Sequence, residues 1–117
     1  MGLLDLFRKK KPRGPLPEQA VIVHIRGTGL PEEVYETYDI STLQDQLREV
    51  VEKYQLGEFD GNEHGPEGTL LYMYDPDAEK LFAGVEAVLR AYPLCKEGCV
   101  VIRRGPPGSP EREVELA

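Results

Sequence analysis

The sequence predicts an α+β fold, in which an antiparallel sheet carries two helices on one face. Strand-like and helix-like segments alternate in the order strand, helix, strand, strand, helix, strand. Each helical segment has a single apolar stripe, which needs one face of a sheet to cover it. Right-handed crossovers then place both helices on the same face and leave the other face open. This arrangement is the ferredoxin-like βαββαβ two-layer sandwich.

The first predicted strand covers residues 19–27, is rich in β-branched residues and stops at Gly27. Alternation along a strand directs Val21, Val23 and Ile25 to the core face. Residues 28–40 predict a loop with a short edge strand, because Pro31 and the carboxylates interrupt the strand pattern.

Residues 41–55 predict the first helix, with Ser41 as the N-cap and Gln44 completing a capping box. Its apolar stripe is Leu43, Leu47, Val50, Val51 and Tyr54. Residues 75–93 predict the second helix, with Asp75 as the N-cap and Pro76 at the first helical position. Its buried stripe is Ala78, Leu81, Phe82, Val85, Leu89 and Tyr92.

The remaining strands are predicted at residues 57–63, 69–74 and 99–105, and Val114 with Leu116 would add a short edge strand. The open face would then carry some of an apolar and aromatic set: Ala20, Ile22, His24, Arg26, Leu70, Tyr72, Tyr74, Val100 and Ile102. An exposed apolar patch of this kind is typical of an interface. Either a second copy of the chain or the N-terminal segment would cover it.

The charge distribution separates a basic N-terminal segment and linker, residues 1–16, from a single domain at residues 17–117. Residues 1–13 carry five basic residues and one Asp, a net +4, so the remainder of a chain with net charge −7 carries −11. An acidic body repels phosphates, and we expect no nucleic-acid partner. The sequence has neither an apolar run of about 20 residues nor a secretory signal, which favours a cytoplasmic protein.

The N-terminal segment combines apolar residues with a basic cluster. Leu3, Leu4, Leu6 and Phe7 would form one face of a short helix, and Arg8 to Lys11 follow it. This pattern is typical of a weak contact with an anionic membrane surface through residues 1–13. It is equally compatible with a disordered basic tail, or with a helix that docks on the domain or on a second chain.

The acidic stretch at residues 57–68 holds most of the candidate binding residues, which are Glu58, Asp60, Asn62, Glu63, His64 and, at the next helix start, Asp75. A calcium loop is excluded because its twelfth position, which needs a bidentate Glu, is Leu71. A small metal-dependent hydrolase or other enzyme centred on Asp60, Glu63 and His64 is an alternative, although one His with carboxylates is a weak donor set. We expect no catalytic residue, metal or cofactor, and Cys95 and Cys99 are predicted to be free thiols.

Two motifs resemble those of a family of small bacterial proteins of unknown function. They are G-E-x-D-G-x-E at residues 57–63 and D-P-D-A-E-x-L-F at residues 75–82, within a similarity over residues 55–105. The resemblance implies a bacterial cytoplasmic protein with a ferredoxin-like fold. It brings no activity and no catalytic residue, but it suggests that the D-G-x-E loop and Asp75 form one site.

The function predicted from these features is a non-enzymatic protein-binding module, immunity-like or regulatory. An acidic hairpin loop, with Asp60, Asn62, Glu63 and His64 at its tip, would bind a basic protein partner through charge complementarity. The chain is also expected to form a homodimer. A membrane-surface adaptor tethered by residues 1–13 is the other alternative.

Overall fold

A computed structural model describes residues 19–116 of the chain. The predictions for residues 1–16, and the start of the domain at residue 17, lie outside this range. The elements are β1 (Gln19–Arg26), α1 (Glu32–Thr37), α2 (Ile40–Lys53), β2 (Glu58–Gly65), β3 (Gly68–Asp75), α3 (Ala78–Ala91), a 3₁₀ turn (Pro93–Cys95), β4 (Gly98–Arg103) and β5 (Glu111–Leu116). Within residues 19–116, no helix has the length and apolar character that a membrane span requires.

One five-stranded sheet forms the frame, with the strand order β2-β3-β1-β4-β5. All neighbouring strands are antiparallel. The predicted α+β class and antiparallel sheet are therefore confirmed. The predicted ferredoxin-like order is not matched in full, because β5 adds a fifth strand to the sheet and α1 adds a third helix.

The core lies between one face of the sheet and the helices. The strands contribute alternate residues to it: Val21, Val23, Ile25, Leu71, Met73, Val100 and Ile102. The predicted placement of Val21, Val23 and Ile25 on the core face of β1 is confirmed. All residues of the predicted apolar stripe of the second helix are buried, which confirms that prediction as well. In α2, Leu43, Leu47 and Val51 are buried, but Tyr54 is 59% exposed because the helix ends before it, at Lys53.

The predicted helix starts are wrong at both long helices. Asp39, not Ser41, caps α2, and its carboxylate accepts a hydrogen bond from the Thr42 backbone N–H at 2.7 Å. This bond lowers the pKa of Asp39. Asp77, rather than Asp75, caps α3, and its carboxylate accepts a hydrogen bond from the backbone N–H of Lys80. In both cases an Asp competes with a nearby hydroxyl or carboxylate, and only backbone geometry decides which side chain reaches the helix end.

The predicted edge strand within residues 28–40 is also wrong, because the structure forms α1 there. Pro31 has a φ of −55° directly before the helix, and Glu32 with Glu33 occupies the first turn, where carboxylates favour the positive end of the dipole. Val34 and Tyr35 pack against the core. Strand-favouring side chains were therefore outweighed by the helix start that Pro31 provides.

The predicted edge strand around Val114 and Leu116 is confirmed as β5, which pairs with β4. Its Arg112 donates hydrogen bonds to both carboxylate oxygens of Glu79 on α3, at 2.8 and 2.7 Å. Arg112 and, next, Arg104 lower the pKa of Glu79 to about 2. This partly exposed pair fixes the added strand to the helical layer.

The β2–β3 turn provides a test of this fold through two glycines. A Cβ on Gly68 would collide with the carbonyl oxygen of Ile25, and the residue has a φ of +132°. We expect Gly68→Ala to lower the free energy of unfolding by about 3 kcal/mol, measured by chemical denaturation. Gly65 has open space around its Cβ position, so Gly65→Ala should change stability by less than about 0.5 kcal/mol. Equal effects of the two substitutions would contradict the described turn.

Candidate functional site

The face of the sheet opposite the helices is the candidate site. Within residues 19–116, the helices pack on the core side, and most side chains of this second face are partly or fully exposed, although Ala20 in its centre is fully buried. We call it the open face. Its β1 residues, Ala20, Ile22 and His24, lie at the centre of the sheet.

The strand register arranges the open face in three rows that cross the sheet from β2 to β5. The first row is Glu58, Tyr74, Ala20, Arg103 and Glu111. The second row is Gly61, Tyr72, Ile22, Val101 and Glu113. The third row is Glu63, Leu70, His24, Cys99 and Glu115.

The first and third rows have a carboxylate at each end, and in the second row Gly61 stands at the β2 end, beside the bulged Asp60. In the three middle strands, every row position except Arg103 and His24 is apolar or aromatic. The two outer strands supply the carboxylates, which we call the β2 rim (Glu58, Asp60 and Glu63) and the β5 rim (Glu111, Glu113 and Glu115). Such a face resembles one side of a protein interface, with an apolar centre and a polar edge.

A bulge shapes the β2 rim. The register shifts between Phe59 and Gly61, which leaves Asp60 as the extra residue, and Gly61 takes a φ of +148° that favours glycine. Burial is the main cause of the raised pKa of Tyr74, and the negative charge of Asp60 raises this pKa further. Asp60 therefore lies beside Tyr74 on the open face.

The third carboxylate of the β2 rim is held by a hydrogen bond. Tyr72 donates its hydroxyl to Glu63 Oε1 at 2.9 Å, and this bond is the main cause of the raised pKa of Tyr72. The bond links the apolar middle of the face to its acidic edge. It also fixes the direction of the Glu63 side chain.

The predicted hairpin tip is wrong. Asp60, Asn62, Glu63 and His64 all lie within the edge strand β2, and the turn is made by Pro66 and Glu67. Glycines and carboxylates suggested a loop, but an edge strand with one solvated side accommodates both. The tip residues are therefore distributed between the two faces of the sheet.

The six predicted binding residues do not form one cluster. Glu58, Asp60 and Glu63 belong to the β2 rim, whereas Asn62 and His64 are in register with helix-side residues of β3. His64 Nδ1 lies 2.8 Å from Thr69 Oγ1. Asp75 is buried and accepts a hydrogen bond from the backbone N–H of Asp77. It helps to start α3 and lies apart from the acidic rim, so its binding role stays a prediction.

Sequence reasoning missed the β5 rim. Burial is the main cause of the raised pKa of Cys99, and a hydrogen bond with Glu113 raises this pKa further. The hydrogen bond places Glu113 beside the middle of the face. The predicted open-face residues of β4 are also wrong, since Val100 and Ile102 are fully buried while Cys99 and Val101 face outward. The strict alternation of glutamates at 111, 113 and 115 was the available signal for this rim.

Two of the three groups of the alternative hydrolase site, Glu63 and His64, line one cavity beside the hairpin turn, and Asp60 is not part of its lining. Glu63 and His64 are consecutive in β2 and point to opposite faces. Among residues 19–116, no group of three or more His, Cys, Asp or Glu is arranged to hold a metal ion. His24 also lines this cavity of about 490 Å³, and His24 Nε2 is 3.4 Å from the Glu67 carbonyl oxygen.

The two cysteines are free thiols, as predicted. Cys95 is buried on the core side, and its burial raises the pKa of the thiol to about 12. Cys99 lies half-buried in the third row of the open face. Its position makes it a natural reporter of whether that face is covered.

Comparisons with protein-family models, with curated proteins and with solved structures found no match for this chain. The resemblance at residues 57–63 and 75–82, and the bacterial and cytoplasmic origin that it implies, stay predictions. A functional proposal therefore depends on the side chains of the open face.

The Tyr72–Glu63 contact predicts a specific titration behaviour. Glu63→Gln removes the charged acceptor, so the pKa of Tyr72 should fall towards its ordinary value of 10.0. Ring resonances of isotope-labelled tyrosine, followed from neutral to alkaline pH, would measure this pKa. Glu67→Gln at the neighbouring turn is the matched control and should leave it unchanged. An unaltered Tyr72 titration in Glu63→Gln would contradict the described contact.

Proposed function

We propose that this chain is a non-enzymatic protein-binding module that binds a basic amphipathic helix of a partner protein on its open face. The observation that carries the proposal is the largely apolar middle of the three rows, which lies between the carboxylates of the β2 rim and those of the β5 rim. Sheets in proteins can carry helices on both faces, so a helix is a possible second cover for this one. The proposed occupant is a helix whose flanks oppose the charge of the rims.

The dimensions of the face fit one helix lying along the strands. The three middle strands span two inter-strand spacings, about 10 Å, which is close to the diameter of a helix with its side chains. Each rim lies one spacing further out, within reach of a Lys or Arg side chain. Successive rows are two residues apart, so three rows cover about 13 Å, the length of roughly nine helical residues.

The charge of the face selects the partner. Its two rims carry six carboxylates, and Arg26 with Arg103 provides two cations, a formal net charge of −4. Arg103 is turned towards the backbone, where its Nε donates to the Gly105 carbonyl oxygen at 2.7 Å. A positively charged segment would therefore be attracted and oriented by both rims.

The same charges disfavour a second copy of the chain as the occupant of this face. Because both edges of the sheet are acidic, face-to-face packing of two copies with aligned strands brings carboxylate rims together. The expected homodimer stays a prediction, and this aligned packing is disfavoured for it.

The fold suggests how such a face arises. We propose that β1 to β4 with α2 and α3 represent a ferredoxin-like unit, and that α1 and β5 are additions to it. The hairpin that adds β5 also adds the second acidic rim. The addition would convert a one-sided acidic edge into a channel with two charged walls.

Binding of a designed peptide tests the proposal. The probe is a fluorescent leucine–lysine peptide with helical spacing, and fluorescence anisotropy measures its affinity for the full chain. We expect the β5 rim variant, Glu111, Glu113 and Glu115→Gln, to bind about tenfold more weakly, since each exposed ion pair contributes up to about 1 kcal/mol. The salt dependence of its affinity should also decrease.

A matched variant controls for the loss of three negative charges. Asp45→Asn with Glu49→Gln and Glu52→Gln removes three exposed carboxylates from α2, on the opposite layer. It should bind the peptide as the wild type does. Equal weakening by both triple variants would overturn the proposal.

A further inference from the structure

We infer that residues 1–13 of the same chain provide an internal occupant of the open face and compete there with the partner helix. This inference rests on the proposed function of that face. The segment lies outside the described residues, so the inference is drawn from its sequence, its length and the point at which it joins the sheet. In this arrangement the chain would cover its own binding face.

The sequence of the segment combines apolar and basic residues. Leu3, Leu4, Leu6 and Phe7 are apolar at helical spacing, and four basic residues follow at 8–11. In a helix, Lys10 and Lys11 would fall on the same side as the leucines, so only residues 3–7 would cover the apolar middle, and the basic cluster would lie at one end of the rows. The charge of the segment is complementary, because residues 1–13 carry a net +4 and the face a net −4.

The attachment point places the segment within reach. The chain enters the sheet at Gln19, the first residue of the central strand β1, opposite Asp75 and next to the first row. Residues 12–18 can span at most about 23 Å when extended. The rows extend over only about 13 Å, so this linker reaches every part of the face.

Intramolecular docking would be reversible. A helix of about nine residues is marginal in water, so the segment would form a helix chiefly when its apolar side chains are buried. A short linker nevertheless gives an effective concentration in the millimolar range. If the segment covers the face for nine-tenths of the time, the apparent affinity for an external helix is about tenfold weaker than that of the uncovered face.

The test compares two variants of the full chain with the same leucine–lysine peptide. Substitution of Leu3, Leu4, Leu6 and Phe7 by Ser removes the apolar side of the segment and leaves its basic charges. We expect this variant to bind the peptide about tenfold more tightly than the wild type. Tyr54→Ser, which removes an exposed aromatic side chain from the opposite layer, is the control and should bind as the wild type does.

Cys99 supplies a second readout that needs no peptide. Its alkylation by the neutral reagent N-ethylmaleimide should be several-fold faster in the Ser variant, because the third row is uncovered. Cys95 is buried in the core and serves as the internal standard. In the wild type, the protection of Cys99 should be independent of protein concentration.

The outcomes distinguish this inference from the proposed function. Equal peptide affinities and equal Cys99 rates in the wild type and the Ser variant would overturn the internal occupant and leave the binding face intact. Absence of peptide binding in both proteins would overturn the proposed function and the inference with it. Protection that disappears on dilution, together with a dimer in analytical ultracentrifugation, would assign the segment to a second copy and overturn intramolecular docking.

Discussion

The antiparallel register of β1 against β3 and β4 is the constraint on which the other features depend. Ile22 lies opposite both Tyr72 and Val101, and this alignment sets the three middle members of every row, to which the β2–β3 and β4–β5 registers add the ends. A shift by one residue would move Val21, Val23 and Ile25 out of the core and bring Arg26 into it. Each of these three buried side chains contributes about 1.5–3 kcal/mol, so the slipped register is strongly disfavoured. The chemistry of the open face is thus specified by burial on the opposite face.

The two acidic rims arise from different local causes but have the same consequence. In β2, the bulge at Asp60 and Gly61 turns an extra carboxylate towards Tyr74, whereas in β5 simple alternation presents three glutamates. Charged edge strands also resist pairing with the strands of other molecules. Both charged edges therefore disfavour strand addition, and the proposed partner helix would bind across the middle of the face instead.

The sequence allows good prediction where its pattern has one period, and poorer prediction where two patterns compete. Alternation in β1 and the stripe of α3 were predictable because each separates apolar from polar residues cleanly. In β4, residues 99–102 are continuously apolar, so nothing local indicated that Val101 rather than Val100 faces outward. The stretch from Glu58 to His64 has the composition of a loop, and only pairing with the strong strand β3 makes it a strand.

The candidate site was predictable in part for the same reason. The carboxylates at 58, 60 and 63 were predicted to belong to a recognition surface, which stays a prediction, and their grouping with Asn62, His64 and Asp75 followed sequence proximity. The sheet instead groups the first three with Tyr72, Ile22 and the glutamates of β5, which are distant along the chain. Long-range register, which no local pattern contains, creates the face.

The central claim is that the open face, rather than the acidic edge alone, is the binding surface. The most direct measurement is nuclear magnetic resonance mapping of the leucine–lysine peptide on the isotope-labelled full chain. The account predicts that the largest amide shifts occur in the middle strands, at residues such as Ile22, Tyr72 and Val101, with smaller changes at both rims. Shifts confined to β2 or to the helical layer would contradict it.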